Sequence, residues 1–359
     1  MQYKNKQYLS LHPLSKDLDF ILQHTPSVWS ELRNQEIFIT GGTGFFGCWL
    51  LESIVWANLK FNFNVKATIL TRNISAFAKK CPHLIEQTTL QFIEGNVRDF
   101  AFPNKQFSHV IHAATDASAD INKNQPTLMF DTIVEGTKRV LEFAKQCKAR
   151  RFLLTSSGSV YGRQPPELTH IAEDYVSPKM IETNHSAYAL GKYYADKMSC
   201  NYAEKYHFES KIARCFAFVG PYLPLDAHFA IGNFIRDGLN RESIIVNGDG
   251  TPYRSYLYAA DLAVWLWTIL IYGKSARSYN VGSEYAVSIS ELASVVASTF
   301  DETPQVNILK PVMPGALPER YIPNTQRAQN ELRLSQRYSL VDSICATKKF
   351  AGLNNIFFV

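Results

Sequence analysis

From Glu36 onward, short runs of apolar, β-prone residues alternate with longer amphipathic stretches. Strands are predicted at Ile37–Thr40, Val65–Leu70, Leu90–Glu94, His109–Ala113 and Phe152–Thr155, with helical periodicity between them. The longest helix spans Pro126–Cys147. A second, Ser186–Tyr206, leads into a sixth strand at Glu209–Cys215, and Tyr279–Gly282 reads as a strand returning to the same sheet. This alternation predicts an α/β fold: a doubly wound parallel sheet with helices on both faces.

The texture changes at two places. Residues 1–35 are polar and irregular, with one short helix near Leu14–Gln23, and read as an N-terminal extension. After Gly220-Pro221, turns rich in Gly and Pro (Asn247–Gly250, Pro311–Pro318) separate shorter elements. The expected division is therefore a dinucleotide-binding domain over 36–220, with 256–283 returning to it. A smaller C-terminal substrate-binding lobe takes 221–255 and 284–359. In such folds ligands bind at the carboxyl ends of the strands, which this lobe would cap.

Between the first strand and an amphipathic run from Cys48 to Leu59 stand Gly41, Gly44 and Gly47 at three-residue spacing. A dinucleotide pyrophosphate needs close backbone approach and sits on a helix N-terminus, and strand, glycine turn and helix supply both in this order. The triplet alone is weak, and its setting makes it a strong Rossmann signal. Gly41, Thr43, Gly44, Phe45, Phe46 and Gly47 are the cofactor-binding turn, the two Phe side chains being read as core packing.

Composition narrows the partners. The 359 residues carry 46% apolar and 19% charged side chains, with a net charge of +5 and no basic block, so nucleic acid is not expected as a partner. Cys48, Cys81, Cys147, Cys200, Cys215 and Cys345 form no CxxC pair and no metal-like cluster with His; no metal is expected, and a reducing cytoplasm is the simplest setting. The start of the chain lacks a signal-peptide pattern, and the most apolar helical stretch, Leu262–Tyr272, is too short to span a bilayer. A soluble, cytoplasmic protein without membrane contact is expected.

Tyr188 and Lys192 lie four apart near the start of the second long helix, which places both on one face. A neighbouring ammonium favours the phenolate and brings tyrosine towards a useful acid/base range. Alone, such a pair is commonplace. Upstream, Leu153–Gly162 runs from a strand into a hydroxyl-rich turn, and a hydroxyl there can bond a substrate oxygen while tyrosine moves the proton.

Together these residues resemble the extended short-chain dehydrogenase/reductase family, in its nucleotide-sugar epimerase/dehydratase branch. The resemblance covers about residues 36–345. It rests on the glycine turn, Val110–Ala114, Ser157 three residues before Val160-Tyr-Gly, Tyr188 with Lys192, Arg214–Pro221, Gly248–Tyr256 and Asp261-Leu. It implies Tyr188 as general acid/base, Lys192 holding the nicotinamide ribose and tuning Tyr188, and Ser157 orienting the reacting oxygen. Ala113, Ala114 and Val97 join the cofactor contacts. Ser157, Tyr188, Asn233, Arg254 and Arg320 are the implied substrate contacts, the two arginines gripping a nucleotide-sugar diphosphate. Family members pair through the two long helices, so a homodimer is expected.

The departures from the family pattern shape the chemistry. Gly158 and Ser159 stand where dehydratases carry an Asp-Glu pair, and decarboxylases also place Glu at the Ser159 position. Both reactions are disfavoured unless Glu173 or Asp174 substitutes. Hydride transfer remains, in an epimerase or a ketoreductase. At the end of the second strand, Thr71-Arg72 lacks the acidic residue of NAD-using relatives, and Arg72 can pair with a 2′-phosphate, so NADP is favoured over NAD. Asn96 replaces an aspartate that meets adenine. Ile133 and Ala217 stand at positions often filled by Asn. His112 reads as packing, while Asp116 and Ser118 follow it towards the sugar hydroxyls. A cofactor-binding regulator without chemistry is the rival outside enzymes.

Overall fold

The structure, a computed structural model, describes residues 11–115, 119–176, 186–227 and 229–357. The chain divides into two compact units. The first comprises Met1–Val160, His185–Arg214 and Ala263–Tyr279; the second takes Tyr161–Asn184, Cys215–Leu262 and Asn280–Val359. Among the described residues, no helix is long and apolar enough to cross a membrane.

In the first unit, α1 (Ser15–His24) and α2 (Pro26–Leu32) precede β1 (Glu36–Thr40). There follow α3 (Phe45–Phe61), β2 (Lys66–Thr71), α4 (Ile74–Lys80), α5 (Pro82–Ile85), β3 (Leu90–Glu94) and β4 (His109–His112). Then come α6 (Ala119–Asn124), α7 (Pro126–Gln146), β5 (Arg151–Ser157), α8 (Ala187–Tyr206) and β6 (Glu209–Cys215). The seven-stranded sheet runs Arg277–Val281, β6, β5, β4, β1, β2, β3. The pairs β3–β2–β1–β4–β5 are all parallel, as the alternation of strand and helix predicts. The reversal of winding falls between β1 and β4, where ligands of such sheets bind.

The stretch before Glu36 is more ordered than its polar composition suggests. Its few apolar residues sit at helical spacing, and Leu18, Ile21 and Leu22 on α1 and Val28, Trp29 and Leu32 on α2 are all buried. Pro26 starts α2, where its missing N–H costs nothing. Trp56 on α3 donates to Asp19 on α1 at 2.7 Å, and the Trp29 ring lies 5.3 Å from that of Trp267.

Glu52 on α3 is wholly buried, and its carboxylate oxygens meet His83 Nε2 at 2.8 Å and His12 Nε2 at 3.2 Å. The three groups offer atoms within 4.8 Å of one another. The Leu14 N–H donates to His12 Nδ1 at 3.2 Å, so the ring proton sits on Nε2 and faces Glu52. The trio is thus a hydrogen-bonded clasp between the N-terminal segment, α3 and α5. Burial alone would push the Glu52 carboxyl up; the two imidazoles outweigh it and hold it well below the usual carboxylate range.

The helices α7 and α8 pack closely because α8 carries Gly191. A Cβ there would come within 3.1 Å of Ile133 on α7. Ile133 therefore packs between helices. Ser186 caps α8 by accepting from the Ala189 N–H at 3.2 Å, which fixes the helix start next to Tyr188.

The second unit is built from short pieces. The helices Ala230–Leu239 and Ile289–Ser298 share a core of Ile231, Phe234, Ile235, Leu292 and Val296. A capping box between Ser288 and Glu291 starts the second of them. Tyr253–Arg254 is the middle strand of a three-stranded sheet, flanked by Val287–Ser288 and Arg320–Tyr321.

Candidate active site

At the end of β1 the chain turns through Gly41, whose φ of +72° suits glycine. A Cβ there would lie 2.5 Å from the Ala113 carbonyl and the Ala114 nitrogen, so the turn rests directly on the segment leaving β4. At Gly47 a Cβ would meet the Gly42 backbone at 2.3 Å, which lets α3 start tight against the turn. Gly44 is the N-cap of α3 and offers no side-chain cap. A glycine-led helix start of this kind lets an anionic group such as a dinucleotide pyrophosphate approach the backbone closely. Phe45 and Phe46 are half-buried rather than core residues, with rings 5.7 Å apart. Thr43 Oγ1 lies 3.4 Å from Thr71 Oγ1, and the Thr43 carbonyl accepts from Lys80 Nζ at 3.2 Å.

Arg72 is exposed just past β2. Asn96 Oδ1 accepts from the Arg98 N–H at 3.0 Å, so the amide first serves its own turn; a carbonyl oxygen can take a second donor. Val97 packs against α7 at Gly136, where a Cβ would come within 2.9 Å of the valine side chain.

Ser157 closes β5, and its Oγ accepts from the Ser159 N–H at 3.1 Å. Lys192 is buried, with 3% exposure. Its ammonium donates to Thr115 Oγ1 at 2.6 Å and to the Thr155 carbonyl at 2.8 Å. Its Nζ lies 5.9 Å from the Tyr188 ring centre. The spacing of four does place both side chains on one face of α8, and tertiary hydrogen bonds then aim the lysine. Tyr188 is half-buried, and its backbone N–H donates to Asn122 Oδ1 at 3.0 Å. One turn further along α8, buried Asp196 accepts from Arg214 Nε at 2.9 Å. Burial raises the Asp196 pKa and the Arg214 charge opposes it. Asp116 and Ser118 lie outside the described residues.

The second unit holds the remaining expected substrate contacts. Arg254 and Arg320 come from neighbouring parallel strands of the small sheet, where Tyr321 pairs with Arg254 and Arg320 with Tyr253. The Arg320 guanidinium lies 4.4 Å over the Tyr253 ring, and Arg254 donates to the Tyr253 carbonyl at 2.8 Å. Asn233 borders a cavity of about 510 Å³ together with Arg236, Asp237, Glu242 and Asn247. Arg236 donates to Asn233 Oδ1 at 3.2 Å and to Asp237 Oδ1 at 2.7 Å. The Glu173 carboxylate accepts from the Asn280 N–H at 2.8 Å and lies 3.8 Å from Arg327. Asp174 is exposed.

Thr115, Thr155 and Arg236 escape a reading of the sequence. Single Thr residues at strand ends carry no pattern, and Arg236 looks like any surface residue of an amphipathic helix.

The family model described as NAD dependent epimerase/dehydratase family matches residues 37–282. Among curated proteins, UDP-glucuronic acid decarboxylase 2 of Arabidopsis thaliana is 29% identical over 282 residues, covering 77% of this chain. The match spans 59% of that relative's length. Among solved structures, UDP-glucose 4-epimerase of Thermotoga maritima superposes with a TM-score of 0.75 at 19% identity, over 89% of this chain and 99% of that one. UDP-glucuronic acid 4-epimerase of Bacillus cereus, in complex with UDP-glucuronic acid and NAD, gives 0.74 at 22% identity, over 88% and 99%. The strand order, the glycine turn under α3 and a family match over most of the chain agree: this chain belongs to the NAD dependent epimerase/dehydratase family.

Proposed function

We propose that the chain moves hydride at a ring carbinol of a nucleotide-diphosphate sugar, acting as an epimerase, with a ketoreductase as the version that consumes its cofactor. The observation that carries this reading is Lys192, buried and aimed by Thr115 and Thr155, on the same helical face as Tyr188. When bound, the nicotinamide dinucleotide supplies the two-electron acceptor and donor. Tyr188 takes the carbinol proton as the carbon is oxidised and returns it on reduction. Lys192 favours the phenolate form that can accept that proton, and Ser157 orients the reacting oxygen. Arg254 and Arg320 suit a diphosphate, and the cavity beside Asn233 suits the base.

The dinucleotide is read as NADP in preference to NAD, on Arg72 and the lack of a carboxylate beside it at the end of β2. Replacing Arg72 by Ala is expected to weaken NADP binding about tenfold, as for loss of one charge-assisted hydrogen bond, with NAD affinity little changed. Calorimetric titration of both dinucleotides reads this directly. Equal loss for NAD and NADP would assign Arg72 to adenine stacking. A homodimer through α7 and α8 belongs to the same reading: Leu128 and Tyr194 stay exposed there, and Phe130 meets Tyr194 edge-on at 5.9 Å.

Decarboxylation is the second reading, favoured by the identity to the Arabidopsis decarboxylase. Gly158, Ser159 and the engaged Glu173 speak against it. The test is to incubate the protein with UDP-glucose and UDP-glucuronic acid, each with NAD and with NADP, and follow the sugar by NMR. An epimer formed without net cofactor turnover supports the proposal. A UDP-pentose with release of carbon dioxide replaces it by the second reading.

A further inference from the structure

His112, the last residue of β4, reads in the sequence as packing, yet it is the centre of a buried polar chain. It is 3% exposed, between Thr40 at 0% and Thr137 at 1%. Thr40 Oγ1 lies 2.7 Å from His112 Nδ1, and His112 Nε2 lies 3.1 Å from Thr137 Oγ1. The Ala114 N–H donates to Thr40 Oγ1 at 3.3 Å. Thr40 Oγ1 receives the Ala114 N–H, and the Thr40 and Thr137 hydroxyls hold the two ring nitrogens, one as donor and one as acceptor according to which nitrogen carries the proton. Burial, with the Lys192 charge beside it, draws the His112 pKa down to about 3, so the ring keeps a single proton.

The chain of bonds ends on the segment that matters. Ala113 and Ala114 form the floor against which Gly41 turns, and the next residue, Thr115, accepts from Lys192 at 2.6 Å. The other lysine anchor is tied to the same histidine, because Thr155 Oγ1 donates to the His112 carbonyl at 3.3 Å. An apolar ring of the same size would fill the space and direct none of this.

We propose that His112 is a positioning residue for the dinucleotide: through Thr40 it sets the Ala113–Thr115 backbone, and with it both the floor of the glycine turn and the seat of Lys192. This rests on the reading that the dinucleotide lies over Gly41–Gly47. The Thr137 bond holds the far side of the ring, Thr40 carries the constraint to the backbone, and the ring itself touches no ligand.

The test uses the full chain and three variants, His112→Phe, His112→Gln and Thr40→Val, with NAD and NADP titrated by calorimetry. Circular dichroism confirms that each is folded at the temperature of titration. Phenylalanine keeps the volume and removes both bonds, and is expected to weaken dinucleotide binding about tenfold. Glutamine can accept from Thr40 and donate to Thr137, and should restore affinity to within about threefold. Thr40→Val, which leaves the Ala114 N–H without its acceptor, should match the phenylalanine variant, and decides the matter if that variant does not fold. Wild-type affinity in folded His112→Phe or in Thr40→Val overturns the proposal, as does a glutamine variant as weak as phenylalanine. If the wild-type chain binds neither dinucleotide, the cofactor reading itself fails, a separate outcome.

Discussion

Replacing Tyr188 with Phe is expected to lower turnover by about a thousandfold, within the range for removing a positioned acid/base, while dinucleotide affinity stays within about twofold. The reason is geometric. The phenol oxygen is the only heavy atom removed, and the helix start is held by Ser186 and by Asn122, which bonds the Tyr188 backbone and not its side chain. Lys192 keeps its partners Thr115 and Thr155 in the variant. Steady-state kinetics on the nucleotide sugar identified by NMR, with calorimetry for the dinucleotide, separates the two effects. Full activity in the variant would remove Tyr188 from the mechanism.

The second large effect concerns stability. Replacing Glu52 with Gln is expected to cost about 3 kcal/mol, the upper end for losing a hydrogen bond to a buried charge and leaving its partner unmet. An amide offers one acceptor where the two imidazoles present two N–H groups, so one donor is left facing an NH2 group. Urea unfolding at neutral pH reads the loss. The pH dependence has a definite sign. The folded carboxyl is held below its ordinary value, so its contribution is fully present above the unfolded pKa of about 4.3 and fades as pH falls towards the folded one. The gap between wild type and variant should therefore be level from pH 7 to about 5 and narrow in acid. A gap that widens in acid would point to another group.

What the sequence shows and hides follows from distance along the chain. The glycine turn and the Tyr188–Lys192 spacing are local, each decided by one turn or one helical period, and both are readable. The aim of Lys192 depends on Thr115, 77 positions away, and nothing near either residue announces the other. Arg254 and Arg320 can each be singled out, but their shared place around Tyr253 comes from strand pairing. Phe45 and Phe46 mislead because apolar residues at a helix start read as core, whereas both are only half-buried here. His112 misleads for a related reason: an isolated histidine in an apolar strand looks like packing until the two threonines on neighbouring elements are seen. In the N-terminal stretch the helix near Leu14–Gln23 is readable and stands as α1 (Ser15–His24), whereas α2 (Pro26–Leu32) hides among polar residues because only its inward positions are apolar.

The layer formed by α1, α2 and α3 also constrains the order in which this chain can assemble. Trp267, which lies against Trp29, donates to Ser53 Oγ at 2.8 Å across 214 positions. At ribosomal speeds of about 5–20 residues per second, that partner arrives about 10–40 s after Ser53 is made. During this interval Trp29 on α2 and Ser53 on α3 lack this one partner of the folded chain. The indole that packs on Trp29 and the N–H that bonds Ser53 both come from the helix Ala259–Tyr272, so this layer is completed only after that late segment has been made.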